Sequence, residues 1–122
     1  MRQFDKVHAT TVIATAAITA HRFVSYGGAP APAAPASGLQ DCQGIAEESA
    51  AAGEAVSVVT SYSYLVEASA PVAQGDYLKP AADGSGRAAV GTDTDHCARA
   101  LSAAAAGQLV EAQIVPHVHA AA

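Results

Sequence analysis

A stretch of this chain recurs 54 residues further on, and this recurrence restricts the fold more than any other feature of the sequence. The aligned pairs are Phe23-Val24 with Tyr77-Leu78, Ile18 with Val72, Ala46 with Ala100, Gly53 with Gly107, and Val56 with Val110. Two units are too few for a solenoid, which needs three or more stacked repeats. Two short antiparallel units that cannot bury their faces alone should close on each other. The alternative is coincidence in an alanine-rich chain.

The predicted fold class is therefore all-β, a small β-barrel or sandwich built from two similar halves, with an extended N-terminal arm. The Thr-, Val- and Ile-rich segment Val7–Ala20 favours an extended strand, because β-branched residues fit a pleated surface. The predicted organisation is a strand or arm at 1–22, a β domain at 23–116, and a C-terminal tail at 117–122. Within the β domain the repeats span about 18–60 and 72–114, and an exposed Ala-Pro loop occupies 29–37.

Further strand signals lie inside the β domain. The sequence predicts separate strands at Val56–Val59 and Ser61–Glu67, a tight connection at Ala50–Glu54, and a last strand at Leu109–Val115 that Pro116 ends. Tyr62 and Tyr64 fall on one face of their strand.

The apolar composition indicates a thin core. Hydrophobic residues make up 51% of the chain, but aromatic residues make up only 5% and tryptophan is absent. Small side chains remove little surface from water at ~25 cal/mol per Å² of apolar area. Burial against partner subunits should therefore add stability, although a modestly stable monomer is the alternative.

The charge is acidic and uneven. Residues 1–35 hold three bases and one acid, a net +2, whereas the remainder holds three bases and ten acids, a net −7. This balance argues against nucleic-acid binding, which needs a basic stripe. A basic N-terminal segment fits an arm that reaches toward an acidic neighbour. No run approaches the ~20 apolar residues of a membrane-spanning helix.

Residues that could carry chemistry are few. Cys42 and Cys97 are the only cysteines, and two reduced, partly buried thiols are favoured over one bridge. His117 and His119 could begin a metal site, but the sequence offers no further ligands, which favours a solvated tail or a subunit contact. In Asp95-His96-Cys97, neighbouring strand residues point to opposite faces, which spoils a nucleophile–base pair. We predict no catalytic residue, no metal and no cofactor.

Several short motifs together resemble the capsid cement or head-decoration proteins of tailed bacteriophages. They are the strand Gly75–Pro80, the turn Asp83-Gly84, the segment Ala98–Leu101, the run Ala103–Gly107 and the strand Leu109–Ile114. The first half, from Gly44 to Val56, resembles the same signature. The likeness covers about two-thirds of the chain, from roughly Gly44 to Val115, and each piece is short. Ala98-Arg99 stands where the family usually has a glycine, and the Thr-rich N-terminus lies outside the pattern.

The resemblance implies a non-enzymatic virion protein on the outer capsid surface, assembled in the host cytoplasm. It implies the major capsid protein as partner and self-association, without fixing the oligomer. We expect a trimer, with a dimer possible, and neither nucleic acid nor membrane as partner. The residues that we expect to contact partners are Phe4, Lys6, Arg22, Tyr62 and Tyr64. Another virion surface-assembly part, such as a head-fibre base or an adhesion module, is the alternative. A small metal- or Cys-dependent enzyme is a remote one.

Overall fold

The computed structural model describes residues 4–118, and the described chain is built from β-strands with one short 3₁₀ helix. The elements are β1 (Lys6–Ile13), β2 (Phe23–Ser25), a 3₁₀ helix (Gly38–Gln40), β3 (Cys42–Ala46), β4 (Ala55–Glu67), β5 (Tyr77–Pro80), β6 (Ala88–Val90), β7 (His96–Ala100) and β8 (Leu109–Val118). The all-β prediction is confirmed.

The strands form one nearly closed, barrel-shaped sheet. Its order is β2-β3-β4-β8-β7-β5-β6, all strand pairs are antiparallel, and β1 pairs with β4 outside this path. At the ends of the path, the Phe23 N–H donates to the Gly86 oxygen at 2.7 Å. Gly86 has a φ of +81°, and a Cβ there would press on the Phe23 oxygen, so glycine permits this closure.

Strand β4 is the branch point of the sheet. One of its edges pairs with β1, from Ala55 opposite Ile13 to Tyr62 opposite Lys6. The opposite edge pairs first with β3 and then, over Ser63–Glu67, with β8. Between these two pairings β3 and β8 diverge, and the fork opens a cleft of about 360 Å³.

The core consists mainly of alanine and valine, as the composition predicts. The larger cluster surrounds Phe23, which is 1% exposed and is the bulkiest fully buried side chain among the described residues. A second cluster, centred on Ile18, Val24 and Val56, packs beneath β1. Because most buried side chains are small, each contributes little apolar area to stability.

Backbone hydrogen bonds recur at the 54-residue offset. The Gly53 N–H donates to the Ala14 oxygen, and the Gly107 N–H donates to the Ala68 oxygen, both at 2.7 Å. Likewise the isolated bridge between Ile18 and Ala50 has its equivalent between Val72 and Ala104. These recurrences support the organisation in two halves, which stays a prediction.

Three local features differ from the sequence-based predictions. Strand β4 is continuous, because Thr60 forms a bulge opposite β1 instead of separating two strands. Strand β8 passes through Pro116 to Val118, since Pro116 lies beyond the last pairing with β4 and its missing N–H costs no bond there. In the Ala-Pro segment, Ala31 is buried and donates its N–H to the Phe23 oxygen, so this loop is only partly exposed.

Candidate partner-binding surface

The predicted contact residues Phe4 and Tyr64 meet beside the end of the β1–β4 pair. Their rings lie 4.8 Å apart, edge to face. The Tyr64 ring also stacks on the His21 ring, with centroids 5.6 Å apart and an interplanar angle of 14°. We call Phe4, His21 and Tyr64 the ring stack. Phe4 remains 43% exposed, so the stack presents an aromatic edge to solvent.

Tyr64 anchors the ring stack to the barrel. Its ring is half-buried and packs against the larger core cluster. Burial raises the pKa of the Tyr64 hydroxyl, and the negative charge of Glu47 raises it further. The Tyr64 hydroxyl therefore stays neutral at physiological pH, and its ring is held between Phe4, His21 and the core cluster. Such rigid aromatic groups commonly anchor protein interfaces.

His21 is a residue of this surface that the sequence-based list omits. Its φ of +62° makes it the one non-glycine residue with positive φ in residues 4–118. The equivalent position 54 residues later is Gly75, with a φ of +94°. Both backbone N–H groups donate to equivalent oxygens, of Ala46 and Ala100. The fold thus needs this conformation, which glycine would adopt at less cost. The histidine ring adds a 3.2 Å contact between its Nδ1 and the Leu65 oxygen, together with the stack on Tyr64.

The predicted cationic contacts are already paired within the chain. Lys6 lies 3.0 Å from the Glu47 carboxylate, and Arg22 lies 3.4 Å from that of Glu67. A hydrogen bond from the Ser57 hydroxyl, assisted by Lys6, lowers the pKa of Glu47. These exposed pairs are worth little stability. The two ion pairs form the polar edge of this surface, and each cation is already paired with a carboxylate of the same chain.

Tyr62 lies opposite Lys6 at the end of the β1–β4 pairing. Its side chain is 37% exposed. The structure therefore places four of the five predicted contacts, Phe4, Lys6, Tyr62 and Tyr64, at one end of the β1–β4 pair. Arg22 follows His21 directly in the chain.

A second aromatic group lies on the other unit of the repeat. Tyr77 contacts the His96 ring at 4.5 Å, and the Arg99 guanidinium sits 4.8 Å over the Tyr77 ring. All three belong to β5 and β7. This group is separate from the ring stack and offers a matched comparison for experiments.

The remaining chemistry-bearing residues form no catalytic arrangement within the described chain. Cys97 is buried, whereas His96 lies outside with its Nδ1 on the Thr92 oxygen, so the two do not pair. No group of three metal-ligating side chains occurs in residues 4–118. His119 lies outside the described residues.

His117 differs from the predicted solvated tail. Its side chain is 1% exposed, and its Nδ1 accepts the Cys42 N–H at 3.0 Å. The residue thus belongs to β8 and links the end of that strand to the start of β3. A proline commonly ends a strand, so the sequence alone places His117 in the tail.

No helix within residues 4–118 is long and apolar enough to span a bilayer.

Comparison with known proteins gives a matching family and similar solved structures. The family model described as phage cement protein matches residues 2–114. The solved structure titled "The crystal structure of head fiber gp8.5 N base in bacteriophage phi29" is similar, with a TM-score of 0.63 and 19% sequence identity. The match covers 93% of this chain and 98% of that chain. At this identity the likeness shows the fold alone. A search of curated proteins gave no match.

Proposed function

Because the chain belongs to the phage cement protein family and is a phage virion structural protein, we propose that it binds the outer surface of a tailed-phage head and stabilises the capsid lattice. The proposed partner is the major capsid protein, on virions assembled in the host cytoplasm. The protein acts without catalysis, and neither nucleic acid nor membrane is its partner.

Thermodynamic linkage between binding and capsid assembly explains how the protein would stabilise the lattice. A protein that binds the assembled lattice more tightly than separated subunits shifts the equilibrium toward the lattice. Many weakly bound copies together raise the total stabilisation of the capsid lattice. Self-association multiplies the capsid contacts that each oligomer makes. A trimer is favoured and a dimer is possible. The thin alanine- and valine-rich core supports a protein that gains stability from its neighbours.

The ring stack is the proposed centre of the contact. The observation that carries this is His21, which holds a left-handed backbone where the equivalent position has glycine. Its side chain orders Tyr64, which in turn orders Phe4. An ordered aromatic edge loses little conformational entropy on binding. Tyr62 extends this surface, while Lys6 and Arg22 form its polar rim.

The test uses purified full-length protein and capsids that lack it. We expect saturable binding and a higher capsid disruption temperature in a thermal-shift measurement. Unchanged thermal and osmotic resistance after saturation would contradict the stabilising role. Binding at only a few sites per head would instead favour a head-fibre base, the alternative with which the likeness to the phi29 head-fibre base fold agrees.

Single variants distinguish a loss of capsid binding from a loss of the protein's own stability. Phe4→Ala and His21→Gly should each weaken capsid binding about tenfold, equivalent to about 1.4 kcal/mol, with the protein's own melting temperature nearly unchanged. Leu39→Ala is the matched control, since Leu39 is a large exposed side chain, 69% accessible, outside this surface. Equal binding by all three variants would place the contact elsewhere on the molecule.

A further inference from the structure

The two thiols of the chain meet inside the barrel. Cys42 begins β3 and Cys97 is the second residue of β7, and both belong to the larger core cluster, at 3% and 0% exposure. Both side chains pack in this one cluster, and interaction with Cys42 adds to burial in raising the pKa of the Cys97 thiol. The Cys42 thiol in turn donates to the Gly44 oxygen at 3.5 Å. The two thiols therefore lie in one buried cluster, and both are free.

The two thiols differ in their access to solvent. Cys42 lines the cleft at the fork between β3 and β8, together with Gln43, Thr60 and Ile114. Cys97 lies behind it, and burial raises the pKa of its thiol. A small reagent entering the cleft meets Cys42 first. Cys97 is held in its neutral form behind the first sulfur, where a resolving thiol needs to be.

We propose that Cys42 and Cys97 are a latent cross-link site, which a small disulfide oxidant such as oxidised glutathione converts into one intramolecular disulfide between β3 and β7. This inference is independent of capsid binding. It requires an oxidising medium, because cytosolic thiol pools keep such pairs reduced.

The chemistry balances as two successive exchanges. The Cys42 thiolate attacks one sulfur of oxidised glutathione, whose S–S bond breaks and releases one glutathione thiolate. Cys97 then attacks the Cys42 sulfur, its proton passes to the departing glutathione sulfur, and the second glutathione leaves as a thiol. Two protein thiols are oxidised by two electrons, and one small disulfide is reduced to two thiols.

The cross-link would join two strands that share no backbone pairing. The described strand pairs connect β3 to β2 and β4, and β7 to β5 and β8. Cys42 and Cys97 are 97 − 42 = 55 positions apart, so the bond closes a long loop. A cross-link over a long loop restricts the unfolded chain strongly. The oxidised protein should therefore resist heat better than the reduced one.

The test treats reduced full-length protein with oxidised glutathione. We expect both thiols to disappear together in a thiol count on denatured samples. The intact monomer should lose the mass of two hydrogen atoms, and its melting temperature should rise by roughly 5 °C or more. A thiol reductant should reverse all three changes.

Two single variants check the order of events. Cys97→Ala lacks the resolving thiol, so Cys42 should stop as a glutathione adduct. Cys42→Ala should leave Cys97 unreacted in the folded protein. Covalent dimers, a stable glutathione adduct on the wild-type chain, or two thiols that stay free would each overturn the proposal. Since the wild-type mass and thiol count suffice for this decision, a poorly folding variant would not obscure it.

Discussion

At the 54-residue offset of the predicted repeat, strand β1 aligns with the second part of β4, but the surroundings of the two segments differ. At the 54-residue offset, residues 6–13 correspond to residues 60–67. β1 pairs only with β4 within the described chain and leaves Val7 70% exposed. Ser61 and Tyr62 pair with β1, residues 63–67 pair with β8, and Val66 is fully buried. Strand β1 thus remains at the surface, whereas residues 63–67 form part of the barrel wall.

The same contrast explains where the aromatic surface lies. The ring stack needs an exposed first strand to bring Phe4 against Tyr64. The second unit has Gly75 where the first has His21, so it cannot build this stack. Both the position of β1 in the sheet and the residue at position 21 therefore distinguish the first predicted unit from the second. The following predictions test how far the two units differ.

The largest difference should appear at the aligned aromatic positions Phe23 and Tyr77. Phe23 is 1% exposed in the core, and Phe23→Ala should cost roughly 3–5 kcal/mol of unfolding free energy. Tyr77 is only partly buried against His96 and Arg99, so Tyr77→Ala should cost about 1 kcal/mol. Urea denaturation of both variants measures the difference. Equal losses would mean that the two positions are packed alike.

A smaller difference should appear at Gly44 and its counterpart Ala98. A Cβ at Gly44 would overlap the backbone oxygen of Val59, whereas the Ala98 methyl is buried without such a clash. We expect Gly44→Ala to cost about 2–3 kcal/mol, and the reverse change Ala98→Gly to cost roughly 1 kcal/mol. Melting temperatures of the two variants check the order. If Gly44→Ala melted like the wild type, β3 would lie further from β4 than described.

Substitutions at the two left-handed positions, Gly75 and His21, should change the unfolding free energy by different amounts. Gly75→Ala meets no atom within 4 Å but must hold a φ of +94°, so it should cost about 1 kcal/mol. His21→Gly relieves the backbone and loses the stack, and its unfolding free energy should stay within about 0.5 kcal/mol of the wild type. Chemical denaturation of the pair provides the measurement. A large loss in His21→Gly would make the ring stack part of the core.

The smallest effect should come from Glu47, which corresponds to Leu101 in the second unit. Its pKa is lowered from an ordinary 4.5, chiefly by the Ser57 hydroxyl, so the carboxylate stabilises the fold above that pH. This contribution is lost as the pH falls below 4.5 through the folded-state value. Melting curves of Glu47→Gln should therefore change less between neutral and acidic pH than those of the wild type. Parallel curves would show that Glu47 adds nothing to acid sensitivity.

Local patterns predicted most strands because their residue types agree with their surroundings. The valines of β4 and the Phe23-Val24 pair are β-branched or aromatic residues that the sheet buries, so propensity and packing favour the same state. The repeat also predicted that β3 and β7 are equivalent. The sequence could not predict the bulge at Thr60, since it depends on how β4 accommodates β1 as well as β3 and β8.

The candidate surface was predicted in part. Phe4, Tyr62 and Tyr64 are prominent because aromatic residues are rare in this chain. His21 was missed, although its alignment with Gly75 was a usable signal, because a residue that replaces a glycine must adopt that backbone at a cost. His117 was misplaced, since a proline at a strand edge reads in sequence like the end of the strand.

Strand β4 closes the first unit with its early residues and opens the second with its later ones. A break in the chain on either side of it would give one fragment a surplus strand and deprive the other of its first. Neither fragment could satisfy its backbone groups, so we expect nicked protein to fall apart rather than to persist as two domains. Intact protein should denature in a single step, and a stable half-length product is not to be expected from protease digestion.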